Sequence, residues 1–121
     1  MLAHARREAP RECCGLLIGT PESVVRSVRA RNLDTSPARY LIAPEDHFAA
    51  IRSARADGLD VVGAYHSHPS STPVPSTTDI AEANSGAEFL YVIVSLVSGD
   101  VRGYRIEEGN VTDCRLSVTP V

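Results

Sequence analysis

Lysine is absent from this chain, and all twelve basic residues are arginine. That excludes both a Schiff-base lysine and a P-loop lysine, so two common catalytic classes are removed by composition alone. The arginines are scattered and the formal charge is −3, so no basic patch forms to neutralise phosphates, and nucleic acid is not an expected partner. No stretch approaches the roughly eighteen apolar residues of a membrane span. The opening MLAHARREAPREC carries charge where a secretory leader needs an apolar centre. A cytoplasmic protein with no membrane partner is expected. Cysteines are few: Cys13, Cys14 and Cys114, an odd count without CxxC spacing, which fits reduced, buried thiols better than a disulfide framework. On a strand the adjacent Cys13 and Cys14 would face opposite sides, so at most one is expected to face the core.

What is present suits one compact domain. With 121 residues and 43% hydrophobic content the chain can bury a real core but not two, so a single domain over 1–121 is expected to carry both fold and site. Residues 1–9 read as a short helix stopped before Pro10, and Cys13 to Gly19 as a buried strand closed by Thr20-Pro21. Val24 to Ala30 alternates Val with Arg and Ser, a half-exposed strand forming a hairpin with its predecessor. Asn32 to Pro37 reads as a loop and Arg39 to Ile42 as a short strand. Pro44, ahead of Glu45 and Asp46, opens a helix. Within it Phe48, Ile51 and Ala54 or Arg55 fall at helical spacing, and Gly58 ends it. Asp60 to His68 is apolar on both faces, an interior strand needing cover on both sides. Ser76 to about Ser85 reads as a second longer helix ended by Gly86, and Phe89 to Val97 as another interior strand. Val101 to Ile106 and Val111 to Val118 follow, joined by a hairpin turn at Gly109-Asn110. The order predicts an α+β fold, a mixed sheet of about six or seven strands with two longer helices.

The chemistry concentrates in VVGAYHSHPSSTPVPSTTD, residues 61–79. Side chains two apart on a strand share a face, so His66 and His68 can turn ring nitrogens to one point. Asp79 follows His68 by eleven positions (79 − 68), within reach of a loop that folds back. Two histidines, one carboxylate and an open fourth position describe a hydrolytic zinc centre rather than a closed structural one. Ser76-x-x-Asp79 is also a near capping box, in which the acidic group reaches back to the cap backbone. One carboxylate is not expected to serve both roles fully, and the two upstream histidines favour the metal. Ser76 is a good N-cap by residue type. Glu12, taken alone, is a solvated charge beside a strand. His4 and His47 lack partner spacing and read as surface residues.

HxHP, six residues, then SxxD resembles the JAMM, or MPN+, metallopeptidases, with His66, Ser67, His68, Pro69, Ser76 and Asp79 filling every fixed place. The match covers essentially the whole chain and looks most like the small free-standing bacterial members. The resemblance implies a curved, partly barrel-like sheet packed by helices, akin to cytidine deaminase. It also implies one Zn2+ held by His66, His68 and Asp79. Ser76 would then donate to the oxyanion, and an upstream glutamate would move the proton. Glu12 stands in that glutamate's place; Glu8 and Glu22 lie nearby, and the CCGLLIG run that follows favours Glu12. The implied reaction is cleavage after the C-terminal Gly-Gly of a ubiquitin-like protein. The chain has little room for the insertions that larger relatives use to grip ubiquitin, which favours a bacterial sulfur-carrier adduct releasing cysteine or another amine. A homodimer is left open.

Three other readings stand beside this one. A zinc hydrolase of the deaminase type, acting on a small molecule, needs HxE with a downstream PCxxC, and neither occurs. A non-catalytic MPN scaffold or interaction domain would normally have lost some of these ligands. A structural zinc domain needs a fourth protein ligand, which only Cys13 or Cys14 could supply.

Overall fold

The computed structural model describes residues 1–36 and 38–117. Three helices, α1 (Leu2–Glu8), α2 (Pro44–Ala56) and α3 (Thr77–Glu82), accompany six strands: β1 (Cys14–Thr20), β2 (Ser23–Ala30), β3 (Asp60–His68), β4 (Leu90–Ser95), β5 (Val101–Glu107) and β6 (Asn110–Cys114). They form one mixed, unclosed sheet in the order β2-β1-β3-β4-β5-β6. Only β3 and β4 run parallel, with Gly63 opposite Leu90 through His68 opposite Ser95. A parallel pair cannot be joined by a tight turn and needs a crossover. The chain from Pro69 through α3 supplies it, leaving the C-terminal end of β3 facing a long loop and a helix start.

Both faces of the sheet are covered, as the apolar run of β3 requires. One face carries Cys13, Leu17, Tyr65, Val92 and Val94, with Ala5 and Leu2 of α1 packed on them. The other carries Leu16, Ile18 and Ala64 beneath Ala50 and Ala54 of α2. Further along that face, Tyr91, Ile93, Tyr104 and Ile106 lie beneath Ile80 and Ala83. Because β1 is covered on both sides, Cys13 and Cys14 are both buried, against the expectation that only one would be. The same cover corrects the reading of His4. It is buried, its Nδ1 2.8 Å from the Tyr65 hydroxyl, whereas His47 is exposed as expected.

Other local expectations shift for identifiable reasons. The inner face of α2 is alanine, which permits close approach to the strands, and Phe48 lies on the opposite side, 61% exposed. Arg39 to Ile42 forms no strand: a single bridge joins Asn32 to Ile42, because the Asn32 side chain takes the Leu41 N–H and the Arg39 carbonyl that a ladder would use. α3 stops at Glu82 rather than near Ser85, and the Ser85 amide donates instead to the Tyr91 hydroxyl. The β5–β6 turn is Glu108-Gly109, both at positive φ (49° and 81°), with Asn110 already in the strand. The last strand ends at Cys114, and the Val118 end of its expected range lies outside the described residues, as does Pro37.

Gly15 is a forced choice. It sits opposite Tyr65, and a Cβ there would collide with the Tyr65 ring and the Val28 carbonyl. Gly15→Ala should therefore lower stability by about 1–3 kcal/mol, read as a shift in the urea midpoint at unchanged slope.

Candidate metal centre

His66 and His68 end β3 on the face covered by α2 and α3, and both are buried. Their Nε2 atoms are 3.3 Å apart. Asp79 reaches them from the first turn of α3, with Oδ1 3.2 Å from His66 Nε2 and Oδ2 2.9 Å from His68 Nε2. The same carboxylate completes the capping box: Oδ2 accepts from the Ser76 N–H at 2.9 Å, and Ser76 Oγ accepts from the Asp79 N–H at 3.0 Å. The two roles of Asp79 are thus not exclusive, because a carboxylate offers two oxygens and about four lone-pair sites. The cap fixes the side chain in the orientation that meets the histidines.

The donor set asks for a cation. His68 Nδ1 lies 2.8 Å from the Thr72 carbonyl oxygen. An acceptor there requires the proton on Nδ1, which leaves the Nε2 of a neutral ring as a lone pair. That lone pair then faces a carboxylate oxygen at 2.9 Å and the Nε2 of a second buried imidazole at 3.3 Å. Such a convergence is repulsive unless a proton or a metal ion sits within it. Ligands about 2.0–2.1 Å from a tetrahedral zinc lie roughly 3.3 Å from one another, close to the separations found. Burial works against the charge of Asp79, but the hydrogen bonds of His66 and His68, the charge of His66 and the Ser76 amide hold its carboxyl well below the usual range. Burial lowers His68, yet its hydrogen bonds to Asp79 and Thr72 raise it above its ordinary value.

Glu12 precedes β1 two residues from Cys14, which pairs with His66, so alternation puts it on the histidine side of the sheet. It is 5% exposed, not the solvated charge expected of a lone glutamate beside a strand, and its Oε1 has no hydrogen-bond partner among the described residues. Burial, reinforced by the charge of Asp79, pushes its carboxyl up to about 7. A buried acceptor without a donor is costly and calls for a function.

Several contributors carried no sequence signal of their own. Tyr40 stacks on the His66 ring at 4.5 Å and 19°. Asn32 donates to the Glu12 carbonyl at 2.9 Å and receives the amides of Asp34 and Leu41, tying the segment that bears Tyr40 to the segment that bears Glu12. The Glu12 and Leu41 partners of Asn32 are 20 and 9 residues away, beyond any local pattern. The buried Ser67 hydroxyl accepts from the Cys13 amide at 2.7 Å, so the residue between the histidines braces β3 against β1. Cys13 lies on the far face, and the Cys14 thiol turns to the Ala30 carbonyl, so neither supplies a fourth ligand in this arrangement.

Fold and cluster together define a class: a mixed-sheet domain with two histidines and one carboxylate, able to hold a metal, at the C-terminal end of an interior parallel strand. Residues 1–107 match the model for prokaryotic homologs of the JAB domain, and the chain belongs to that family, as the JAMM motif implied. It is 39% identical over 104 residues to a desampylase of Haloferax volcanii, spanning 78% of this chain and 73% of that protein. It is 38% identical over 120 residues to the CysO-cysteine peptidase of Mycobacterium tuberculosis, spanning 93% of this chain and 80% of that one. The solution structure of a protein from Desulfitobacterium hafniense superposes with a TM-score of 0.84 at 32% identity, covering 93% and 82% of the two chains.

Proposed function

We propose that this chain is a single-domain zinc peptidase that cleaves a peptide or isopeptide bond after the C-terminal Gly-Gly of a ubiquitin-like protein, its substrate being an adduct of a bacterial sulfur-carrier protein. The observation that carries the reading is the convergence of His66, His68 and Asp79 beside the unpartnered oxygen of Glu12. Relatives named for desampylation and for CysO-cysteine cleavage support the substrate class.

His66 Nε2, His68 Nε2 and Asp79 would hold the zinc. Bound there, zinc supplies Lewis acidity that polarises an amide carbonyl and makes water nucleophilic near neutral pH. Glu12 Oε1 takes a proton from the attacking water and delivers it to the departing nitrogen as the carbon–nitrogen bond breaks, giving a carboxylate and an amine. Ser76 Oγ accepts from the Asp79 amide and keeps its own hydroxyl proton free for the carbonyl oxygen, which becomes negative in the tetrahedral state. No step requires a thiol or a covalent intermediate. Glycine in the substrate tail permits close backbone approach in a narrow groove. The three cysteines are free, in keeping with a cytoplasmic setting, and no helix of the described residues is long and apolar enough to cross a membrane.

The substrate assignment is tested by incubating the zinc-loaded protein with sulfur-carrier adducts and following mass. Loss of the appended amine only when the carrier ends in Gly-Gly is the expected result. Intact adducts alongside cleavage of unrelated peptides would reject it.

A further inference from the structure

The loop between β3 and α3 contains Pro69, Pro73 and Pro75, three residues without an N–H, so its own backbone can do little to hold it. Side chains from the sheet hold it instead, through three successive carbonyl oxygens. Ser71 O accepts from Ser95 Oγ at 2.7 Å, Thr72 O faces His68 Nδ1 at 2.8 Å, and Pro73 O accepts from the Tyr104 hydroxyl at 2.5 Å. Thr72 O also takes the Val74 amide at 2.8 Å, closing a tight turn around Pro73. Ser95 and Tyr104 are both buried, on β4 and β5, and neither touches the histidines, Asp79 or Glu12 by hydrogen bond.

From this we infer that Tyr104 and Ser95 are positioning residues for the metal centre. By clamping the carbonyls on either side of Thr72, they hold Thr72 O where it keeps the proton of His68 on Nδ1, and so keep Nε2 free to bind. The inference rests on the zinc-site reading above. An imidazole whose outer nitrogen is fixed by a hydrogen bond is a better oriented and more basic ligand. Loss of the Tyr104 clamp lets the Thr72 carbonyl drift, and the ring can then rotate or exchange tautomers. Tyr104→Phe removes only the hydroxyl and leaves the ring in its cluster with Tyr91, Ile93 and Ile106.

Competition with a chromophoric chelator measures zinc affinity for the wild type, Tyr104→Phe, Ser95→Ala and Tyr91→Phe, with thermal midpoints of the metal-free proteins in parallel. Tyr91→Phe is the control, since it removes a hydroxyl from the adjacent strand whose partner is the Ser85 amide, away from the loop. Tyr104→Phe and Ser95→Ala should each weaken zinc binding by about ten-fold, the lower end of the range for groups that orient a ligand. They should also broaden the visible bands of the cobalt-substituted protein, while Tyr91→Phe matches the wild type in both. Wild-type affinity in Tyr104→Phe and Ser95→Ala, or equal weakening in Tyr91→Phe, overturns the positioning role while leaving the zinc site standing. Failure of the wild type to bind zinc overturns the site itself and this inference with it. Should Tyr104→Phe not fold, Ser95→Ala decides alone.

Discussion

Glu12→Gln should abolish nearly all turnover while the protein keeps its zinc and, stripped of metal, becomes more stable at alkaline pH than the wild type. A positioned proton-transfer group is worth about 10²–10⁴-fold in rate, and an amide of the same shape cannot take the proton. The stability gain follows from the carboxyl's environment. Burial raises its pKa from 4.5 to about 7, so through that interval the unfolded chain has lost its proton while the folded one retains it. Stability therefore falls as pH rises through this window, and the deficit is complete above it. Its ceiling is on the order of 3 kcal/mol. Denaturant melts in chelator should give the variant no advantage near pH 4 and an advantage approaching that ceiling near pH 8. Equal stabilities at both pH values would mean that Glu12 is solvated and poorly placed to act as the base. In the wild type, turnover should fall on the acid side as Glu12 takes up its proton.

Removal of the metal is the second large effect. A chelator, or His66→Ala, should eliminate both bound zinc and activity, and zinc added back should restore only the chelated wild type. Thiol alkylation should leave activity intact. Burial pushes Cys14 up to about 12 and raises Cys13 as well, so neither offers a thiolate near neutral pH. Full activity in chelator combined with inactivation by an alkylating agent would reverse the assignment. The contrast with Glu12→Gln is informative: one variant should lose the metal, while the other should keep it and lose only the chemistry.

Asn32, Tyr40, Ser95 and Tyr104 lay beyond the reach of sequence reasoning. Ser95 and Tyr104 lie in predicted strands, but no spaced motif gives any of the four a role at the site, and each acts through a contact with residues remote along the chain. His4 departs from expectation for the opposite reason: residue type and spacing suggest the surface, and packing imposes another environment, α1 sealing it over Tyr65.

What the sequence determined by itself was everything carried by short-range geometry. Period-two alternation put both histidines on one face of β3, the Ser-x-x-Asp spacing made the start of α3, and apolar or alternating runs with turn residues between them marked the six strands that form, along with one at Arg39 to Ile42 that does not. The tertiary structure alone decided that Asp79 caps its helix and meets the histidines with one carboxylate, that Glu12 is buried with an oxygen unpartnered among the described residues, and that the proline-rich loop is held from the sheet. Burial and charge at a site depend on elements that meet only when the chain has folded. Spacing along the backbone sets which way a side chain points, not what it finds there.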